Sequence, residues 1–139
     1  MSFLEEIEEM KKERESEEDV VISEIINWFS DMINNKYEEY LKKRIKDKIE
    51  KNENKLTLNI EYTSYSCSDK KQFYCSGFSF SREGYDYKGI RFYDIQVKVC
   101  DKIRDILVEK LESLGLTIIN EERKDNRFNE YRKEITISW

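Results

Sequence analysis

The chain has 139 residues, of which 40 % are charged and 38 % hydrophobic, and its net charge is −5. This length fits one domain, and two Trp, nine Tyr and seven Phe favour a folded protein over a disordered one. No apolar run approaches the ~18 residues of a membrane-spanning helix, and the first residues lack the basic flank and apolar stretch of a secretory signal, so we expect a cytoplasmic protein.

The negative charge is concentrated at the start of the chain. Residues 1–24 hold ten carboxylates and three basic groups, which sum to −7. Because the whole chain carries −5, the other 115 residues sum to +2. A surface of one sign attracts partners of the opposite sign and repels others, so the pattern predicts a partner with a basic surface.

A short first helix is predicted at the start of the chain. Ser2 and Glu5 have the spacing of a capping box, and Phe3, Ile7 and Met10 recur at helical intervals. The apolar stripe is only one residue wide, which indicates weak docking or a partner that is not part of this chain.

A second, longer helix is predicted to follow. Ser16 and Asp19 offer its start, and apolar residues keep a helical period to about Lys51. The one plausible break is the pair Asn34 and Asn35. The apolar stripe of this helix includes Ile25, Phe29, Ile33 and Tyr37. We expect the stripe to support a homodimer through the long helix.

Strands are predicted after the long helix. Alternating apolar and polar residues indicate one strand from Leu56 to Tyr62 and another from about Phe73 to Arg82. The turn between them is assigned to residues 68–71.

The most regular helix of the chain is predicted after a short third strand at residues 90–93. Asp94 is its expected N-cap. Gly115 stands where a left-handed C′ residue belongs, and Leu116 is placed to contact Leu111 in a Schellman motif.

These elements predict an α+β fold in the order α-α-β-β-(β)-α-β-β. The last two strands, at residues 116–123 and 131–139, form a closing hairpin. The four or five strands are expected to form a mainly antiparallel sheet with a helix on one face. We assign residues 1–16 to an acidic helical arm and residues 17–139 to a single α+β domain.

The residues predict no enzyme, no cofactor and no metal site. A cysteine nucleophile needs a base, which is usually histidine, and the chain contains none. Cys67, Cys75 and Cys100 lack the spacing and the histidine partners of a zinc site. Cys67 and Cys75 could face each other across a hairpin, but reduced thiols are the favoured interpretation.

A metal-dependent nuclease is one alternative. Glu122, Arg123 and Lys124 end a predicted strand, and an acidic residue followed by lysine at a strand end can hold a divalent metal beside an activating ammonium group. Such a site needs another carboxylate from a neighbouring strand, and no motif supplies it.

Single-stranded nucleic-acid binding is the other alternative. An aromatic sheet can stack bases, and a basic helix stripe can follow a phosphate backbone. The residues that would serve are Arg44, Lys48, Lys51, Lys55, Tyr62 and Tyr74. Alternating aromatics more often fill a core, which is the favoured interpretation for Phe78, Phe80 and Phe92. Pairs such as Glu38 with Lys42 favour a solvated helix face.

The leading hypothesis is a non-enzymatic protein that binds and inhibits a partner. Its acidic arm would mask a basic, nucleic-acid-binding surface on a host nuclease or defence complex, and an immunity protein that neutralises a toxin fits equally well. The scarcity of Ala, Pro, His and Gly is typical of an AT-rich phage or mobile element. Tyrosines between Gly84 and Gly89 are expected to be exposed to the partner. The predicted partner-binding residues are Glu5, Glu6, Glu8, Glu9, Glu13, Tyr85, Asp86 and Tyr87.

Overall fold

The computed structural model describes residues 2–64, 70–83 and 86–139. In this part of the chain two helices pack on one face of a five-stranded antiparallel sheet, which confirms the predicted α+β class. The elements in chain order are α1 (Phe3–Glu50), β1 (Lys55–Ser64), β2 (Lys70–Cys75), β3 (Phe78–Glu83), β4 (Asp86–Tyr87), β5 (Ile90–Arg91), α2 (Phe92–Ser113), β6 (Thr117–Arg123) and β7 (Arg132–Ser138).

The N-terminal region forms one continuous helix where two were predicted. Ser2 caps α1, and its side chain accepts a hydrogen bond from the Glu5 amide. Ser16 does not start a second helix, because neither Gly nor Pro is near it and the glutamates around it favour helix. The helix also continues through Asn34 and Asn35, the one position where a break was considered plausible. The Asn34 and Asn35 amides instead donate hydrogen bonds to side chains one turn earlier in the helix.

The two helices run parallel, side by side. Lys98 of α2 lies 3.9 Å from Glu18 of α1, and the Lys110 ammonium lies 3.4 Å from the carbonyl oxygen of Asn34. The second contact lies closer to the C-terminus of both helices than the first, so the two helices point in the same direction.

The start of α1 extends beyond α2. Because α2 begins at Phe92, its first turn lies beside about residues 12–16 of α1. Residues 3–11 project past this point by about 13 Å, at about 1.5 Å per residue. The acidic arm predicted from the sequence is thus the projecting end of a helix whose later turns belong to the core.

The sheet has the strand order β3-β2-β1-β7-β6 and is antiparallel throughout. Leu58 of β1 lies opposite Ile135 of β7, and both side chains are fully buried on the face that the helices cover. The other face is polar, as expected for an antiparallel sheet with one solvated side. Thr57 and Thr136 illustrate this, since their hydroxyl oxygens lie 3.0 Å apart there.

Several element boundaries differ from the prediction. Lys70 and Lys71, which were assigned to the turn over residues 68–71, are the first two residues of β2. The strand predicted over residues 73–82 is a hairpin of β2 and β3, because Ser76 and Gly77 form a tight turn in which Gly77 has φ +91°. α2 starts two residues before Asp94, which instead lies in the first turn and pairs with Arg91 at 2.8 Å.

The end of α2 and the closing hairpin are confirmed. Gly115 has φ +80°, its amide donates to the Glu112 carbonyl, and the Leu116 amide donates to the Leu111 carbonyl. These two hydrogen bonds define a Schellman motif. β6 and β7 then pair antiparallel as predicted.

Several predictions fall outside the described residues, namely those on Cys67, Ser68, Asp69, Gly84 and Tyr85. Of the other cysteines, Cys75 and Cys100 are free and buried. Within the described ranges, no helix has both the length and the apolar content that crossing a bilayer requires.

Candidate functional site

The projecting end of α1 is the most exposed structured segment that the sequence singled out. Phe3, Leu4 and Met10 are 74 %, 73 % and 63 % exposed, which is unusual for large apolar side chains in a helix. Glu5 and Glu6 occupy the first turn, where carboxylates favour the positive end of the helix dipole. The segment is therefore an ordered helix with two solvated faces of different chemistry.

Most carboxylates of the leading segment, residues 1–24, have no cationic partner within the described part of the chain. Glu8 pairs with Lys11, at 3.4 Å, and Arg14 contacts Glu17 and Glu18 one turn ahead. The carboxylates without an ion pair to a described residue are Glu5, Glu6, Glu9, Glu13, Glu15 and Asp19. Four of the five predicted arm residues thus present free negative charge to solvent, and Glu8 is the exception.

The arm is anchored to the domain at Arg14. Its guanidinium donates a hydrogen bond to the backbone carbonyl of Gly89, 3.1 Å away in the turn between β4 and β5. One turn later, Glu18 meets Lys98 of α2. Sequence reasoning did not identify Arg14, although it stands seven residues before the buried Val21 and so shares the core-facing side of the helix.

Glu24 forms a second anchor, to the same β4–β5 hairpin. It accepts a hydrogen bond from the Tyr87 hydroxyl, at 2.8 Å, and pairs with the ammonium of Lys88. The hydrogen bond to Glu24 raises the pKa of Lys88. Of the ten acidic residues in the leading segment, Glu24 is therefore used internally and is not part of the free acidic surface.

Tyr87 is placed differently from the prediction. Lys88 and Gly89 both have positive φ and form a two-residue hairpin turn, which folds the Tyr87 ring against the domain. The ring is half-buried, with its centroid 6.1 Å from Phe92 and 6.2 Å from Phe80. Tyr87 is thus half-buried, where an exposed ring was expected. Asp86 lies in β4, and Tyr85 is outside the described residues.

The apolar stripe expected to support a homodimer is not available for one. Ile25, Phe29, Ile33 and Tyr37 are all fully buried, because α1 lies over the sheet and against α2. These four residues therefore offer no exposed apolar surface for a dimer through the long helix.

The aromatic sheet expected in the nucleic-acid alternative is mostly core. Tyr62 is 2 % exposed, and its ring packs 5.4 Å from Phe73 under the helices. Burial raises the pKa of Tyr62 to about 12. Tyr74, the other tyrosine assigned to this alternative, lies on the polar face opposite Glu61 and is half-buried. The favoured core interpretation of Phe80 and Phe92 is confirmed by their burial, and half-buried Phe78 packs against the same core.

The proposed basic stripe is also divided. The Arg44 guanidinium donates to the Tyr40 hydroxyl at 2.8 Å, and Lys48 pairs with Glu53 at the same distance. Lys51 is the C-cap of α1, and Lys55 is the first residue of β1. Four cations predicted to share one helix face therefore come from three different local structures, because the helix ends before Lys55.

The residues of the nuclease alternative form a charge network on the sheet. Lys124 lies 3.5 Å from Glu122 and 3.2 Å from Glu134 of the neighbouring strand, while Arg123 pairs with Asp125 at 2.8 Å. A second carboxylate is thus present, but both carboxylates are paired with the lysine. In the described part of the chain, no three His, Cys, Asp or Glu side chains are grouped as a metal site requires.

A cavity of about 460 Å³ lies beside the loop between β6 and β7. The buried Glu130 carboxylate there accepts hydrogen bonds from Ser64, at 2.7 Å, and Asn126, at 3.1 Å. Gln96 of α2 holds the same loop by accepting from the Tyr131 amide at 2.7 Å. These polar groups fasten the loop, and sequence reasoning missed them because burial of Glu130 and Gln96 depends on tertiary contacts.

Comparison with protein-family models, with curated proteins and with solved structures gives no match to this chain.

Proposed function

We propose that this protein binds and inhibits a partner protein by placing its acidic arm on a basic surface of that partner. The observation that carries the proposal is the row of unpaired, solvent-exposed carboxylates on residues 5–13 of a helix that projects from the domain. No described element covers these side chains, and residues 25–139, which follow the acidic leading segment, sum to +2.

The rigidity of the arm supports this proposal. A segment that orders only on binding loses conformational entropy at that step, which lowers the affinity that its contacts provide. The arm is already helical, because it continues a helix that is buried from Val21 onwards. Its carboxylates are consequently held at fixed spacing before a partner arrives, which favours fast and selective association.

The charge of the arm indicates what its partner offers. Four free carboxylates within nine residues match a surface rich in Lys and Arg, such as a groove that normally holds nucleic acid. Occupying that groove would exclude the nucleic acid. We propose a nuclease or defence complex, or a toxin neutralised by an immunity protein, as the partner class, and a phage or mobile element as the source.

The proposal can be tested with a labelled oligolysine peptide as a probe. The arm-neutral variant carries Glu5→Gln, Glu6→Gln, Glu9→Gln and Glu13→Gln. The domain-neutral control changes as many exposed, unpaired carboxylates outside the arm, with Glu39→Gln, Glu50→Gln, Glu109→Gln and Glu112→Gln. Both variants change the net charge by the same amount, so a difference between them reports the position of the charge.

We expect the wild type and the control to bind oligolysine with an affinity that falls as salt is added, because exposed charges are screened within a Debye length of about 8–10 Å. The arm-neutral variant should bind at least about tenfold more weakly. Equal affinities of the two variants would show that the arm is not the recognition surface.

A further inference from the structure

The arm has an apolar face beside its acidic face. Phe3, Leu4, Ile7 and Met10 are related by steps of three, four and seven residues, so they lie on one side of the helix. Three of these side chains are more than 60 % exposed, and Ile7 is half-buried. Contiguous exposed apolar surface of this kind marks interaction sites in folded proteins. These four residues are called the arm's apolar face.

The apolar face looks toward the side of α1 on which the domain lies. Arg14, seven residues after Ile7, bonds to Gly89, and Val21, seven residues further on, is buried in the core. The face therefore continues the core-facing side of α1 beyond the first residue of α2, Phe92, where no described element covers it. A helix laid against it would extend the packing of α1 with α2 by about two turns.

The charge of the arm restricts what can occupy this face. Glu6 and Glu8 border it on either side, and the leading 24 residues carry −7. A second copy of the arm would bring two such segments together, and like charges at the edges of a helix pair are destabilising. An anionic membrane surface would repel the arm for the same reason.

We propose that the arm's apolar face docks an amphipathic, basic helix of the partner protein. Apolar residues of that helix, spaced by three and four, would pack on Leu4, Ile7 and Met10, while flanking Lys or Arg side chains reach Glu6, which forms no ion pair with a described residue. This inference rests on the proposed function and deepens it, because it defines the partner surface as helical and amphipathic as well as basic.

The test uses two synthetic peptides of the same Leu and Lys composition. One repeats Leu at helical spacing so that it forms an apolar stripe, and the other disperses Leu around the helix. The arm variant is Leu4→Gln with Met10→Gln. The control, Val20→Gln with Ile49→Gln, changes two exposed apolar residues of α1 outside the apolar face. Both variants keep the net charge, and Gln is a good helix former.

We expect the wild type and the control to bind the striped peptide at least about tenfold more tightly than the dispersed one, as measured by calorimetric titration. The arm variant should lose this preference while it still binds oligolysine in a salt-sensitive way. Equal binding of both peptides by the wild type, with oligolysine binding intact, would overturn this inference and leave the proposed function standing.

Two further outcomes would also overturn the inference. The first is a dimer, detected by analytical ultracentrifugation, that the arm variant converts to a monomer, since the occupant would then be a second copy. The second is binding to phosphatidylcholine vesicles that the arm variant abolishes. Failure of the wild type to bind any basic peptide would instead remove the proposed function itself.

Discussion

Arg14 and Gly89 connect the helical arm to the domain through one hydrogen bond of 3.1 Å, between the guanidinium and a backbone carbonyl. Among the described residues, Arg14 is the first along α1 whose side chain bonds to another element. The side-chain hydrogen bonds and ion pairs of the described residues before it stay within its own helix and cap, and residues from Val21 onwards are held by the core. The contact therefore marks where a packed helix becomes a free arm.

Replacement of Arg14 by alanine should loosen the arm without unfolding the domain. The lost hydrogen bond and exposed ion pairs account for about 0.5–1 kcal/mol of local stability. We expect amide hydrogen exchange before residue 14 to accelerate a few-fold, with the free energy of unfolding lowered by no more than about 1 kcal/mol. Lys11→Ala is the matched control, because Lys11 bonds only to Glu8 in its own helix. Equal acceleration in both variants would contradict the anchoring role.

Gly77 and Gly89 should respond differently to alanine. Both have positive φ, so each substitution costs about 1–2 kcal/mol in backbone strain. At Gly77 a Cβ atom would also meet the Tyr40 ring at 2.7–2.9 Å, whereas at Gly89 nothing lies within 4 Å. The Tyr40 ring cannot easily yield, because its hydroxyl is bonded to Arg44 and the ring packs between Tyr37 and Phe78.

We therefore expect Gly77→Ala to lower the free energy of unfolding by about 1–3 kcal/mol more than Gly89→Ala, since overpacking adds to the backbone strain. Urea denaturation of both variants measures the difference. Shortening Tyr40 to Leu in the Gly77→Ala background should recover part of the loss. A similar loss at both glycines would mean that the clash with Tyr40 is absent.

The ion pair between Arg104 and Glu121 should make stability depend on pH. The guanidinium donates two hydrogen bonds of 2.7 Å to the two carboxylate oxygens, and this holds the pKa of Glu121 below its ordinary value. A depressed pKa stabilises the fold above the unfolded-state value of about 4.3, and that contribution is lost as pH falls through the folded-state value.

Glu121→Gln should consequently lower the free energy of unfolding by about 1 kcal/mol at pH 7. The difference in this free energy between variant and wild type should become smaller as pH falls below about 4.3. Chemical denaturation across this range measures it, with Glu112→Gln, an exposed carboxylate without an ion pair, as the control. A difference in the free energy of unfolding that stays constant with pH would show that the ion pair with Arg104 does not lower the pKa of Glu121.

The buried cysteines should be unreactive in the folded protein. Burial raises the pKa of the Cys75 thiol to about 12 and raises that of Cys100 as well. Because the thiolate is the reactive form, alkylation of both residues at pH 8 should be at least about a hundredfold slower in native protein than in urea. Mass spectrometry of peptides from iodoacetamide-treated protein assigns each site. Fast native labelling of Cys75 would contradict its placement in the core.

The sequence predicts those parts of the fold that local patterns specify. The helical repeat from Ile25 to Tyr37 identifies the buried side of α1, and the capping residues Gly115 and Leu116 identify the end of α2. The missed hairpin has a different origin. Phe78 and Phe80 lie an odd number of residues after Phe73, so one uninterrupted strand would place them on the face opposite Phe73. This change of phase and the Ser76-Gly77 pair were the signals of the turn, and the prediction of a single strand overlooked both.

Other features depend on contacts between elements far apart in the chain. The Tyr87 ring is half-buried because its hairpin lies against Glu24, 63 residues earlier, and no local pattern reports that contact. The alternation of β1 shows that Tyr62 lies on one face of the strand, but it does not show whether that face is buried. Tyr62 is buried because the helices cover that face of the sheet. The charge and the helical spacing of the arm are visible in the sequence. That the arm extends beyond the domain is not, because this depends on where α2 begins beside α1, and the packing of both helices on the sheet determines that position.

The most direct test of the arm as the recognition surface is affinity capture from host lysate with three baits, followed by quantitative mass spectrometry. The baits are the wild type, the arm-neutral variant and the domain-neutral control. The proposed function predicts a basic protein that the wild type and the control retain equally and that the arm-neutral variant loses by about tenfold or more. Retention of the same protein by all three baits would contradict recognition through the acidic arm.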